Sequence, residues 1–467
     1  MPIKFGTDGW RGVIAEDFTF ENVRVCAQGT ADMLSANGDD RSVVVGYDTR
    51  FGSEQFAAAG AEVFAGNGLR VLLADRPSPT PAVGFNVVAR GAGSGVVITA
   101  SHNPPEWNGY KFKPDYGGSA SPEIVAELEG YVGSAERQGQ SKVTALAEGV
   151  KSGLVEYFDP EPLYLENLGR LVDLDHIRQA GLRVVVDSMH GSGGGYLAKL
   201  VSGGSTSSVE LRGERNPSFP GMVQPEPLSQ NLAGLIAEMA ESDVDVGLAT
   251  DGDADRLGVV DESGRFVTTL EVFALLCYYQ LEVLGKRGPL VRSITMTSMI
   301  DKLGKAYGVP VFDTPVGFKY LGPVMMREDA LTAGEESGGY AFRGNIPERD
   351  GLLSGLMMLD LMVRTGKTVS ELLSVLRDTV GPHYYDRLDL HFDASKREAI
   401  ERRVVTARPL QFAGRRVEDI DTRDGYRFVL PEGYWTLNRS FASMPKVSHP
   451  KWYKPSCRRR GLWRVYE

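Results

Sequence analysis

Six short runs of β-branched and aliphatic residues set what this chain can become: Val43-Val44-Val45, Val71-Leu72-Leu73, Val96-Val97-Ile98, Val184-Val185-Val186, and residues 244–248 and 257–260. Each is too short for a helix and lies near Gly, Asp or Asn, so each predicts a strand buried on both faces. Helix-length stretches such as residues 53–67 and 123–132 separate several of them. That alternation builds βαβ units around parallel sheets. At 467 residues the chain exceeds what one core can hold and implies several domains of roughly 150 residues each. A composition 42% hydrophobic and 24% charged excludes disorder, collagen and coiled coil.

Boundaries follow the composition. The Gly/Ser/Glu-rich stretch 133–153, the strand pair at 244–260 and the helix-like runs 354–364 and 369–377 predict four units, residues 1–155, 156–260, 261–375 and 376–467. The first three read as similar mixed α/β sheet domains, each with a strand that leads into a Gly or Asp loop. The fourth reads as a smaller α+β domain with a hairpin over 426–435.

A net charge of −10 disfavours nucleic acid or an anionic membrane as the main partner. Residues 433–467 stand apart: eight Lys/Arg against Glu467 give a local +7 and leave −17 for the rest. Cys26, Cys277 and Cys457 fit neither a disulfide framework nor a zinc spacing. Met1-Pro2-Ile3-Lys4-Phe5 has no signal-peptide character, and no uncharged apolar stretch reaches the ~18 residues of a membrane span, so a cytoplasmic location is expected.

Four motifs carry chemistry. The run Gly95 to Pro105 is a strand ending in Thr99-Ala100-Ser101-His102-Asn103-Pro104-Pro105, which presents a hydroxyl beside an imidazole on a proline-stiffened loop. Such a serine suits a nucleophile or phosphoryl carrier, and Lys111 follows in Asn108-Gly109-Tyr110-Lys111, where a Gly turn could fold it over that hydroxyl. In Asp251-Gly252-Asp253-Ala254-Asp255-Arg256 three carboxylates at i, i+2 and i+4 would repel one another without a cation, and hard oxygen ligands favour Mg²⁺. An EF-hand is rejected because Arg256 occupies the position where that loop requires Gly. Gly334-Glu335-Glu336-Ser337-Gly338-Gly339, with Thr314 to Lys319 before it, offers the carboxylate and hydroxyl that vicinal sugar hydroxyls need. Gly6-Thr7-Asp8-Gly9-Trp10-Arg11-Gly12 frames an arginine suited either to a phosphate oxygen or to a structural ion pair.

Together the motifs resemble the α-D-phosphohexomutase superfamily, the phosphoglucomutase and phosphomannomutase enzymes. Its order is G-T-x-G-x-R, T-x-S-H-N-P, D-G-D-x-D-R, G-E-x-S-G and a C-terminal R-x-S-G-T-E-P; the first four stand here in that order. The resemblance implies that Ser101 bears a phosphoryl group, and that Asp251, Asp253 and Asp255 hold Mg²⁺ with an oxygen of that phosphoserine. It makes Lys111 the general acid/base, assisted by His102, has Arg256 steady the phosphate or substrate, and puts Glu335 and Ser337 on sugar hydroxyls; Arg11 is expected in the catalytic set, and Lys319 and Arg439 in the substrate-binding set. The implied reaction interconverts hexose 1- and 6-phosphates through a hexose 1,6-bisphosphate, which also serves as activator, in a monomer or homodimer. Gly338-Gly339 and the Glu335-Glu336 pair lean to glucose phosphates; mannose or glucosamine phosphates, or a non-catalytic sugar-phosphate binding role, are the alternatives. The fifth motif departs: after the run-up 424–437 only Arg439 and Pro445 keep their places, through a frameshift near codon 438 or through divergence.

Overall fold

The computed structural model describes residues 3–6, 8–39, 41–241, 243–386, 394–406, 409–412, 414–431 and 435–438. It divides into one unit over residues 1–383 and a second over 384–467. The first unit holds three sheets.

Sheet one contains β1 (Trp10–Val13), β2 (Val43–Tyr47), β3 (Val71–Ala74), β4 (Ser94–Ile98), β5 (Trp107–Pro114) and β6 (Val155–Phe158), in the order β1-β5-β4-β2-β3-β6. Sheet two contains β7 (Arg183–Asp187), β8 (Ser207–Leu211), β9 (Val246–Thr250), β10 (Leu257–Val260) and β11 (Phe266–Val267), in the order β11-β10-β9-β7-β8. Sheet three contains β12 (Leu290–Ser293), β13 (Val311–Thr314), β14 (Thr332–Gly334) and β15 (Tyr340–Phe342), in the order β13-β12-β14-β15. The valine-rich runs form the middle of each sheet: every residue of β2, β4 and β9 is buried.

The sequence pattern predicts parallel sheets, and the pairing is parallel from the centre of each sheet out to one edge, where β6, β8 and β13 lie. β2 runs parallel to β3 and β4, β7 to β8 and β9, and β12 to β13 and β14. At one side of each sheet a strand returns antiparallel: β5 on β4, β10 on β9 and β15 on β14. The cause is the connection, since residues 99–106, 251–256 and 335–339 are too few for a crossover helix. These three returning loops are the motif loops.

Helices flank the sheets. α1 (Phe20–Ala36) is capped by Thr19, whose side chain accepts the Asn22 N–H, and α4 (Pro122–Gln138) by Ser121 with Pro in its first turn. Between them in sequence come α2 (Ser53–Gly66) and α3 (Thr80–Ala89). One hydrophobic core serves sheet one; a second runs from sheet two into sheet three and takes in Leu352, Leu356, Leu359 and Leu361 of the helix Gly351–Thr365. Among the described residues no helix is long and apolar enough to cross a membrane.

The second unit carries the helix Arg397–Thr406, a short pair β16 (Gln411–Phe412) and β17 (Arg415–Arg416), and the antiparallel β18 (Asp419–Asp421), β19 (Tyr426–Val429) and β20 (Trp435–Asn438). Val429 faces Trp435 across the expected hairpin. Arg439 and the basic tail lie outside the described residues.

Candidate active site

Ser101 stands just past the end of β4, with a left-handed φ of 52° that a serine adopts only when its surroundings hold it there. Its N–H donates to Thr99 Oγ1 at 2.8 Å. Beneath the loop lies the guanidinium of Arg50, fully buried beside Asp48 at 3.2 Å. It donates to the carbonyls of Ser101 and Asn103, each at 2.5 Å, and to those of Pro104 at 2.7 Å and Trp107 at 3.1 Å. Four carbonyls turned toward one cation fix the path of the loop, and Ser101 Oγ is thereby aimed at sheet two.

There it donates to Asp251 Oδ2 at 2.9 Å and lies 3.3 Å from His102 Nδ1. The loop after β9 meets it closely: a Cβ on Gly252 would collide with the Ser101 carbonyl oxygen, so only glycine fits. Asp251, Asp253 and Asp255 are all buried and can each offer one oxygen within 4.8 Å of the others. Asp251 Oδ1 accepts the N–H groups of Asp255 at 3.0 Å and Arg256 at 3.1 Å. Burial and the neighbouring Asp253 and Asp255 push its carboxyl well above the ordinary range. Asp253 Oδ1 and Asp255 Oδ1 are buried without a hydrogen-bond partner among the described residues. Two orphaned carboxylate oxygens beside a third carboxyl that resists ionising form a donor set that fits a hard divalent cation.

Lys111 does not fold over the serine on a Gly turn. It lies inside the continuous strand β5, opposite Val97, and its buried ammonium contacts Asp8 Oδ2 at 2.7 Å, Asp253 Oδ2 at 2.8 Å and Asp255 Oδ2 at 3.3 Å. Burial opposes its charge, but Asp253, Asp8 and Asp255 together hold its pKa above the usual lysine value. Burial would likewise raise the Asp8 carboxyl, yet Lys111, Lys113 and Arg349 keep it well below the carboxylate range. His102 is driven the other way: burial and the cations Arg256, Arg11, Lys111 and Arg50 depress it well below its ordinary value, so its imidazole is neutral.

The third loop closes the site. Glu335 is buried and accepts the Gly317 N–H at 2.7 Å, and Ser337 Oγ is buried with no hydrogen-bond partner among the described residues. Arg349 ties the three sheets together: it pairs with Asp8, with Asp255 at 2.9 Å and with Glu335 at 3.7 Å. Arg256 donates to Glu226 Oε1 at 2.6 Å and approaches His102 Nε2 at 3.5 Å. Arg11 donates to Asn103 Oδ1 at 2.5 Å, on the phosphoserine-type loop. Lys319 reaches the Gly6 carbonyl at 3.2 Å from a partly exposed position.

Ser101, His102, Lys111, Arg11, Arg256, Glu335, Ser337 and the three aspartates thus share one region of the first unit. Asp8, Thr80, Arg50, Glu226 and Arg349 are also built into it, and the sequence reading gave them no role. Asp8 sits inside the Gly6 to Gly12 motif, and Arg349 inside Pro347-Glu348-Arg349-Asp350, a charged run before an apolar helix that could have been noticed.

Models of phosphoglucomutase/phosphomannomutase α/β/α domains I, II and III match residues 2–138, 162–264 and 270–379. The phosphoglucomutase/phosphomannomutase of Thermococcus kodakarensis is 30% identical over 444 residues, 95% of this chain and 93% of its own length. The phosphoglucosamine mutase of Carboxydothermus hydrogenoformans is 32% identical over 385 residues, 79% of this chain and 81% of its own. A crystal structure from Thermus thermophilus that bears the phosphomannomutase name superposes with a TM-score of 0.83 at 36% identity, covering 94% of this chain and 93% of that one. With its motif loops gathered as the pattern requires and three domain models matched in order, the chain belongs to the α-D-phosphohexomutase superfamily, the mutases that move a phosphoryl group within a sugar phosphate.

Proposed function

We propose that the chain interconverts hexose 1-phosphate and hexose 6-phosphate, with glucose phosphates preferred, by carrying one phosphoryl group on Ser101. The observation that carries this reading is the placement of Ser101 Oγ 2.9 Å from Asp251 Oδ2, at the edge of a carboxylate cluster with two unpartnered oxygens. Asp251, Asp253 and Asp255, with an oxygen of the phosphorylated Ser101, would hold Mg²⁺, which supplies charge neutralisation for the transferring group.

The protein's own residues do the rest. Lys111, held as an ammonium among Asp8, Asp253 and Asp255, takes the general acid/base role for the sugar hydroxyl, which gives up its proton as it receives the phosphoryl group while Ser101 Oγ gains one. The proton count closes: the hydroxyl loses one and the serine gains one. Neutral His102 and the Arg256 guanidinium line the serine side, and Arg11, braced by Asn103, presents a cation to phosphate. Glu335 and Ser337 hold vicinal hydroxyls, Glu335 as acceptor and Ser337 as donor and acceptor, and Lys319 serves the substrate from the outer rim. The resulting hexose 1,6-bisphosphate turns over in the site and returns its other phosphoryl group to Ser101; added bisphosphate charges an uncharged chain by the same step. Arg439, expected on the non-transferred phosphate, lies outside the described residues.

The Gly338-Gly339 ending of the sugar loop supports glucose. Assaying glucose, mannose and glucosamine 1-phosphates, with and without glucose 1,6-bisphosphate, tests both levels: no conversion of any overturns the mutase reading, and faster conversion of mannose or glucosamine phosphate overturns the preference alone.

A further inference from the structure

A carboxylate that ligates a metal presents one oxygen and needs its other oxygen held by a neighbour, which fixes its direction. Between Asp251 and Asp255 the only local neighbours of Asp253 are Gly252 and Ala254, which have nothing to offer. The partner comes from α3, the helix packed on β2 and β4 of sheet one. Thr80, the first residue of α3, donates its hydroxyl to Asp253 Oδ2 at 2.6 Å and its N–H to the Asp253 carbonyl at 2.9 Å. Both residues are fully buried.

These two bonds grip the aspartate at main chain and side chain, so its Cα–Cβ torsion cannot drift. Oδ2 is thereby committed and Oδ1 is left as the unpartnered oxygen. Lys111 also touches Oδ2, but its ammonium is shared with Asp8 and Asp255 on a flexible four-carbon stem. Thr80 is held far more firmly. It is β-branched and stiff at χ1, and it stands between Pro79 and Pro81, whose fixed φ angles restrict the backbone on either side. The start of α3 adds a partial positive charge next to the Asp253 carboxylate.

We infer that Thr80 is the positioning residue that orients Asp253 for a divalent cation, an inference that rests on the metal-ligand reading of the aspartates above. It places the geometry of a ligand carried by sheet two under the control of the helix that leads into β4 and Ser101. A merely structural Thr80 would affect stability and leave cation affinity alone.

The test is cation binding by the full chain, with Mn²⁺ followed by the resonance of the free ion and Mg²⁺ by calorimetry. Thr80→Val keeps the volume and the N–H bond but removes the hydroxyl, and about 10-fold weaker binding is expected. Thr80→Ser keeps the hydroxyl and should bind close to the unaltered chain; Thr80→Ala gives the same readout as valine should valine disturb folding. Unchanged affinity in the Val or Ala variants overturns the inference, as does an equal loss in Thr80→Ser, which would assign the effect to packing. Failure of the unaltered chain to bind either ion overturns the metal reading itself and this inference with it, so the two failures are told apart.

Discussion

Asp253 divides one carboxylate between two tasks, and each oxygen can be interrogated. Its Oδ2 is occupied by Lys111 and Thr80 and its Oδ1 has no donor. Asp253→Asn replaces one oxygen by a donor and removes a charge, so cation affinity should fall by at least about 10-fold, with Lys111 losing a counter-charge as well; titration with Mn²⁺ checks this. Ser101→Ala should leave no measurable mutase turnover, and the protein should lose the mass increment of one phosphoryl group after incubation with glucose 1,6-bisphosphate. At this scale the sequence was informative where the residues are neighbours in the chain. The i, i+2, i+4 spacing of the aspartates and the Ser101-His102 pair announce themselves. Thr80 and Arg349 do not, because their partners lie 173 residues away at Asp253 and 341 residues away at Asp8, and no local pattern encodes such a pairing.

Strands were legible from their valine-rich runs, and their antiparallel returns were not, because whether a short loop reverses the chain depends on which strand it docks against. The tight approaches at these returns make a clear case. Gly252→Ala would drive a Cβ into the Ser101 backbone carbonyl, which cannot swing aside as a side chain could. A cost of about 1–3 kcal/mol is expected, together with a fall in kcat as Ser101 shifts; thermal unfolding and steady-state kinetics measure the two. The helix Gly351–Thr365 supplies a prediction in pH. Its cap, Asp350, accepts the Leu353 N–H at 2.9 Å and the Tyr164 hydroxyl at 2.8 Å, and burial pushes its carboxyl up to about 6. The folded pKa lies above the unfolded value, so the stability this group contributes is complete below pH ~4 and is lost as pH rises through about 6, to an extent of order 2–3 kcal/mol. Urea unfolding between pH 4 and 7 should show that decline, and Asp350→Asn should flatten it.

The molecule as a whole surrounds the aspartate loop of sheet two with groups from elements that the chain builds before and after it. Asp251, Asp253 and Asp255 are neighbours in the chain, but their oxygens are set for a cation only in the folded first unit, where Thr80 of α3, Lys111 of β5 and Arg349 hold them. Mg²⁺ at about 100 times its Kd should therefore raise the unfolding free energy by about 2.7 kcal/mol. Calorimetric scans with and without the ion check the shift, which should vanish when Asp251 and Asp253 are both replaced by Asn. Composition and alternation make several α/β units legible, and the resemblance brings their motif loops to one centre; the packing between sheets that achieves this is a property no periodicity records. One further consequence belongs to Ser101, which is 1% exposed. On the proposed reaction a phosphoryl group stored there is shielded from bulk water, so it leaves by transfer to a sugar hydroxyl far more readily than by hydrolysis. A population of these molecules would then carry a memory: once charged, it stays competent through long intervals without substrate, and how fast it works depends on what it met earlier as much as on what surrounds it now.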